Sequence, residues 1–181
     1  MEIYILLAVV LLPIVVIIGM YNGLVSRRNG VDNAFASLDA SLQKRFDLVP
    51  NLVATVKGYA THERELFEHV ATLRAQSQTA RGRLEADSEM SALLPQIMAI
   101  AEGYPQLKAS ANFLHLQATM NELEEQISAS RRAFNAAVTD YNTAIQSFPQ
   151  SILANSFGFT ARDLFACADA ARNAPTLAGQ F

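Results

Sequence analysis

The first pattern in the chain is an uninterrupted apolar one. Ile3 to Met20 are 18 residues without a charge, and 13 of them are Ile, Leu or Val. At a helical rise of about 1.5 Å per residue the run reaches about 27 Å, close to the hydrocarbon thickness of a bilayer. Each aliphatic residue favours insertion by roughly 0.3–0.6 kcal/mol, so the segment as a whole favours the bilayer by several kcal/mol. Tyr4 and Tyr21 stand at opposite ends, where interfacial aromatics belong. Pro13 is tolerable in a membrane helix, with a kink as its expected consequence.

Beyond the run, apolar positions recur at helical spacing. A first stretch, about Asn22 to Phe46 and continuous with the apolar run, carries Val31, Phe35, Leu38 and Leu42. Asp47-Leu-Val-Pro50 is expected to interrupt it, because proline pushes the preceding Val49 out of the helical region. Asp47 is then placed to cap the next helix. A second stretch, Pro50 to about Arg81, alternates Leu52, Val56, Tyr59, Glu63, Leu66, Val70, Leu73 and Ser77 by four and three, a heptad seam with one charge in it. Arg81-Gly-Arg-Leu-Glu-Ala-Asp87 reads as a polar linker. A third stretch, Ser88 to Glu102, turns Met90, Leu93, Leu94, Ile97 and Ile100 inward, with a bend expected at Pro95 and a stop at Gly103-Tyr-Pro105.

The fourth stretch is the strongest signal. From about Ser110 to Phe148 its stripe is Phe113, Leu116, Met120, Leu123, Ile127, Phe134, Val138, Tyr141, Ile145 and Phe148, and Pro149 ends it. It contains a short repeat, Phe134-Asn-Ala-Ala-Val138 and Tyr141-Asn-Thr-Ala-Ile145, seven residues apart. The stripe misses one turn at Ser130-Arg131. Phe157-Gly-Phe159 then predicts a turn, and Thr160-x-x-Asp163 a capping box opening a short helix to about Arg172. Residues 173–181 read as a loose tail. No useful length of the chain alternates with period two, so the class is all-α. The expected organisation is an anchor over 1–21, a helical domain over 22–172 and the tail.

Charge decides how the apolar run is read. Of 31 charged residues only Glu2 precedes Arg27. A cleavable signal peptide needs a basic start, a shorter apolar core and a small-residue cleavage site; Met1-Glu2 is not basic, the core is long and no A-x-A follows. A lipoprotein needs a cysteine just past the core, and the one cysteine is Cys167. A retained single-pass anchor is therefore expected. Arg27 and Arg28, with Lys44 and Arg45 further on, flank only its far side, so the positive-inside rule puts the domain in the cytoplasm, beneath the bacterial inner membrane. One cysteine excludes an intrachain disulfide. A net charge of −3 with no concentrated basic face argues against a nucleic-acid partner.

Candidate chemistry is thin. His62, Glu65 and His69 share a helix face by their spacing, as metal ligands do. A di-iron bundle wants Glu-x-x-His from each of two helices, whereas the order here is His-x-x-Glu, and His115 has no carboxylate at that spacing. A solvated face explains the three better. Cys167 lacks any motif of a thiol nucleophile. The eight glycines are scattered, with no phosphate loop. Glu122, Glu124 and Glu125 read as the charged face of a long helix. Glu63, on a seam, either pairs there and fixes register or is partly exposed. No catalytic, metal or cofactor-binding residue is assigned, and the chain is read as a non-enzyme.

A resemblance joins these pieces. Tyr21-Asn22-x-Leu24-Val25, Asn29-x-Val31-Asp32-Asn33-Ala34, Arg45-Phe-Asp-Leu-Val-Pro-Asn-Leu-Val53, Thr55-Val-Lys-Gly-Tyr59 and His62-Glu63 resemble the LemA family in order. So do Tyr104-Pro-x-Leu-Lys-Ala109, Asn112-Phe113, Arg132-x-Phe-Asn135, Tyr141-Asn142, Phe148-Pro149 and Gly158-Phe159. Phe134 stands where tyrosine is usual, so a hydrogen bond from that hydroxyl is not transferable. The resemblance implies a membrane-anchored antiparallel helical bundle with no assigned enzyme activity. A branch associated with magnetosome vesicles points to organising or remodelling membranes, by analogy of fold.

The leading expectation is thus a structural or scaffolding role in contact with the lipid bilayer. The fourth helix carries more stripe than a short, bent third helix can cover, and anchors confine copies to one plane, so a homo-oligomer is expected. The alternatives are a tethered adaptor for an unidentified membrane-protein partner and, further off, an enzyme with a cryptic metal site.

Overall fold

The computed structural model describes residues 1–60 and 63–165, apart from the side chains at positions 6 and 8. Among these residues six helices follow one another: α1 Glu2–Lys57, α2 Arg64–Gln76, α3 Ala80–Glu102, α4 Pro105–Lys108, α5 Ala111–Gln146 and α6 Gln150–Phe157. No strand occurs among the described residues. The chain divides into two compact units, and α1 and α5 each contribute one part to both.

Unit 1 comprises residues 1–37 and 130–165. Its core takes in part of the stripe that periodicity predicts and adds Leu24 and Ala144 to it. Leu24 and Val31 of α1 are buried with Val138, Tyr141, Ala144 and Ile145 of α5. Phe35 meets Phe134 at 5.8 Å between ring centroids, and Arg27 Nε donates to Asp140 Oδ2 at 3.1 Å. In these contacts the residue numbers rise along α1 as they fall along α5. Phe148, expected on the stripe, is instead 82% exposed, because α5 stops at Gln146 and Phe148 falls past its end.

Unit 2 comprises residues 38–129 of the described chain. Its core draws Phe46, Val49, Leu52 and Val56 from α1, Phe67, Val70 and Leu73 from α2, Met90, Leu94 and Ile97 from α3, Leu107 from α4, and Phe113, Leu116 and Met120 from α5. Burying an aliphatic or aromatic side chain is worth roughly 1.5–3 kcal/mol, and that decides two disputes with local propensity. The expected interruption at Asp47–Pro50 is absent, and Asp47 is a mid-helix residue, not a cap: α1 runs through to Lys57. Pro50 removes one backbone donor and crowds the carbonyl of Phe46. Phe46, Val49, Leu52 and Val56, none more than 2% exposed, outweigh that cost. Pro95 likewise lies inside α3, between Leu94 and Ile97, both buried.

Two further expectations are corrected. The stretch from Pro50 to Arg81 is not one helix. It breaks after Lys57, Tyr59 is 43% exposed, and Glu63 is an exposed residue just ahead of α2. The polar linker at Arg81–Asp87 is the first part of α3. Thr79 caps that helix, its Oγ1 accepting from Gly82 N at 3.0 Å. Arg83 anchors it with a fork to Asp39, Nε to Oδ1 at 2.8 Å and Nη2 to Oδ2 at 2.6 Å. The bond to Asp39 raises the Arg83 pKa above its ordinary value against the opposing pull of burial, so the guanidinium stays charged. Arg83 and Asp87 face the neighbouring helix while Arg81 and Glu85 pair in solvent, which is why composition mimicked a linker.

Candidate membrane interface and a buried arginine

The apolar run is the first part of α1, and its described side chains before Met20 are exposed. Over its most apolar window the mean hydropathy is 3.0 and none of it is buried. Ile3, Val9 and Leu12 are 70%, 67% and 68% exposed. A helix this long and apolar is able to cross a bilayer, where its backbone is satisfied internally and its side chains need no partner. Where the run ends, aromatic rings gather. Tyr21 lies edge-on to Phe157 at 5.0 Å and to Phe159 at 5.8 Å, and the Arg28 guanidinium lies over the Phe159 ring at 5.5 Å.

The chain after α6 is a strap laid along α5. Gly158, at φ 73°, reverses it through the left-handed region. Phe159 N donates to the Ala154 carbonyl at 2.9 Å, the six-to-one closure of a Schellman turn. Thr160 to Phe165 are not helical, so the expected capping box does not open a helix there. Instead Asn142 bonds both backbone groups of Arg162, donating from Nδ2 to the carbonyl at 2.8 Å and accepting from N at 2.9 Å. Asn135 does the same to Phe165, at 3.1 Å and 2.8 Å. Just ahead of Arg162, the Tyr141 hydroxyl donates to the Thr160 carbonyl at 3.0 Å. This explains the seven-residue repeat. Two helical turns advance about 10.5 Å, and three extended residues advance about 10 Å, so asparagines seven apart meet strap residues three apart. The gap in the stripe is also filled: Arg131 stacks over Phe165 at 5.2 Å.

Unit 2 holds the feature that sequence reasoning missed. Arg45 has no exposed side-chain surface. Its Nη2 is ion-paired with Asp87 Oδ1 and donates to the Asp87 carbonyl at 3.2 Å. Its Nη1 donates to Ser91 Oγ at 3.0 Å and to Glu124 Oε1 at 3.1 Å. One guanidinium therefore ties α1, α3 and α5 together within this unit. A signal was present: Arg45 sits three past Leu42 and four before Val49, on the apolar stripe itself. Asp87 was hidden because its segment read as a linker, and Glu124 because it read as one of three solvated acids. Glu122 and Glu125 are indeed exposed. Both terminal nitrogens are bonded while the buried Nε has no partner; a guanidinium held in this way fixes register and offers neither a base nor a nucleophile.

The remaining candidates among the described residues do not converge. Glu65 is exposed on α2, and His69 Nε2 lies 3.2 Å from Glu89 Oε2 of α3. His115 is exposed on α5. His62, Cys167 and the tail at 173–181 lie outside the described residues. Among the described residues no three His, Cys, Asp or Glu side chains cluster as metal ligands do. A shallow groove of about 420 Å³ between Lys44, Asp47 and Asn51 of α1 and Thr119, Glu122 and Gln126 of α5 carries mixed charge.

Known proteins resemble this chain over most of its length. The Magnetosome protein MamQ of Magnetospirillum gryphiswaldense is 25% identical over 174 residues, covering 80% of this chain. The Magnetosome protein MamQ 2 of Paramagnetospirillum magneticum is 24% identical over the same share. Protein LemA of Metamycoplasma hominis is 24% identical over 137 residues, covering 74% of this chain. The chain spans 64%, 64% and 63% of the length of these relatives. A family model, that of the LemA family, matches residues 34–178, which takes in Arg45, Asp87, Glu124 and both strap-binding asparagines. With four fifths of its sequence inside that match, this chain belongs to the LemA family.

Proposed function

We propose that this chain is a membrane-anchored scaffold: α1 crosses the bilayer once, and the helices beyond Tyr21 form an antiparallel, heptad-packed bundle over 22–172 that self-assembles at the membrane. The observation that carries the reading is the wholly exposed apolar run built into the same helix as a well-packed domain. An apolar surface of that extent calls for lipid. The domain lies on the cytoplasmic side of the bacterial inner membrane, since Arg27 and Arg28 flank only that end of the run. Three of the relatives are named magnetosome proteins, which supports a part in organising or remodelling a membrane. Among the described residues the buried Arg45–Asp87 pair is spent on joining helices, which supports a structural reading.

Crosslinking of surface lysines in native membranes, followed by mass measurement of the detergent-extracted complex, tests the role. A ladder or large homo-oligomer is expected, with contacts on α5. A defined complex with one other membrane protein would favour an adaptor instead. Monomers alone at endogenous expression would remove self-assembly from the account.

A further inference from the structure

Unit 1 exposes apolar side chains that the run in α1 does not account for. Phe148, Ile152 and Phe157 are 82%, 61% and 58% exposed, on or just before α6. Ala154 is the one buried residue of that helix, and Gln150–Phe157 contains no charge.

Two separate sets of contacts fix where this patch lies along α1. Phe157, the last residue of α6, packs on Tyr21, the first residue past the apolar run. The other end is set by α5. Its register pairs Phe134 with Phe35 and Asp140 with Arg27. Carried on from Asp140 by six residues, the same register brings Gln146, the end of α5, level with Tyr21. The end of α5, separated from α6 by three residues, and the last residue of α6 thus lie at one level of α1, the level at which its apolar surface gives way to polar sequence.

We propose that α6 is a second membrane contact, lying in the interfacial zone of the bilayer that α1 crosses, with Phe148 and Ile152 turned toward the acyl chains and Phe157 held at the same depth against Tyr21. This rests on α1 being a membrane span. Lipid is the occupant because the patch is continuous, through the Tyr21–Phe157 contact, with the exposed apolar run itself. Its surroundings fit the headgroup region: Tyr21 supplies an interfacial ring, and Arg28, exposed and stacked on Phe159, offers a cation to phosphate. A span alone leaves the domain free to tilt and turn. A span with a wedge beside it sets unit 1 at a defined attitude to the membrane surface.

The chain has no Trp, so single Trp substitutions report without background. The full-length protein is placed in vesicles of phosphatidylcholine and phosphatidylglycerol in equal parts, with bromine on the acyl chains near the glycerol. The variants are Ile152→Trp and Phe157→Trp, with Ile14→Trp in the run and Ala133→Trp as controls. Ala133 is exposed on α5 about 20 Å before Gln146. All four positions are exposed, so none of the substitutions disturbs a core. The brominated lipid is expected to lower the emission of the Ile152→Trp and Phe157→Trp variants on the order of twofold relative to unlabelled vesicles, and to leave the Ala133→Trp variant unchanged. If Ile14→Trp is quenched while Ile152→Trp and Phe157→Trp behave like Ala133→Trp, the wedge is overturned and the span stands. If Ile14→Trp also escapes quenching, the span fails and the wedge falls with it.

Discussion

A guanidinium with no exposed surface must be neutralised where it sits, and Arg45 draws its counter-charge from Asp87, backed by Glu124 and Ser91. Removing one partner strands the other. Arg45→Met is expected to lower unfolding stability by about 3–5 kcal/mol in a urea titration, while adding Asp87→Leu should restore most of the loss. A double variant no better than the single would show that Arg45 acts through packing. The strap bonds are smaller in scale. Asn142→Ala removes two bonds to Arg162, at about 0.5–1.5 kcal/mol each, and should speed hydrogen exchange of the Arg162 amide without unfolding the rest. Phe134, 9% exposed against Phe35, should cost on the order of 3 kcal/mol as Phe134→Ala, and a loss below about 1 kcal/mol would deny it a core role. At this scale the apolar stripe was legible, because Phe113, Met120, Ile127, Phe134 and Tyr141 are all buried as their spacing of seven predicts. The polar partners were not. Spacing reveals which side of a helix is apolar, but an Arg or Asn on that side looks the same whether it is satisfied or solvated.

Elements were legible where one signal acted alone. The start of α5, the stop at Gly103 and the continuity of the apolar run with the helix after it all follow from the sequence. They were misread where propensity and burial pulled in opposite directions. Pro50 signals a boundary locally, yet two nearly inaccessible side chains on each side of it hold α1 intact. The reverse happened at Lys57–Glu63, where a continuing seam of heptads concealed a break. The turn between α2 and α3 gives an element-scale prediction. A Cβ on Gly82 would overlap the carbonyl oxygen of Gln76, which is backbone and cannot yield cheaply. Gly82→Ala should therefore lower stability by roughly 1–3 kcal/mol, although the same change inside an exposed helix would raise it. A thermal melt of that variant decides between the two signs.

At the scale of the molecule the sequence speaks mainly through asymmetry: one uncharged run, basic residues on one side of it, and amphipathic helices thereafter. That asymmetry predicts orientation as well as anchoring. A reporter fused to the last residue should be active only in the cytoplasm, and changing both Arg27 and Arg28 to Glu should weaken that preference. Surface labelling of that residue in intact cells would reverse the assignment. What the sequence could not display is how apolar surface is shared between the run and α6, since Phe148, Ile152 and Phe157 look like core residues until their exposure is known. Everything proposed for this chain depends on α1 being embedded in lipid. The direct measurement is extraction of isolated membranes at alkaline pH, which strips peripheral proteins and leaves spanning ones. The full chain is predicted to stay wholly in the membrane pellet, and a version lacking residues 2–20 to appear in the supernatant as a folded helical protein. Release of the full chain into the alkaline supernatant would contradict the account.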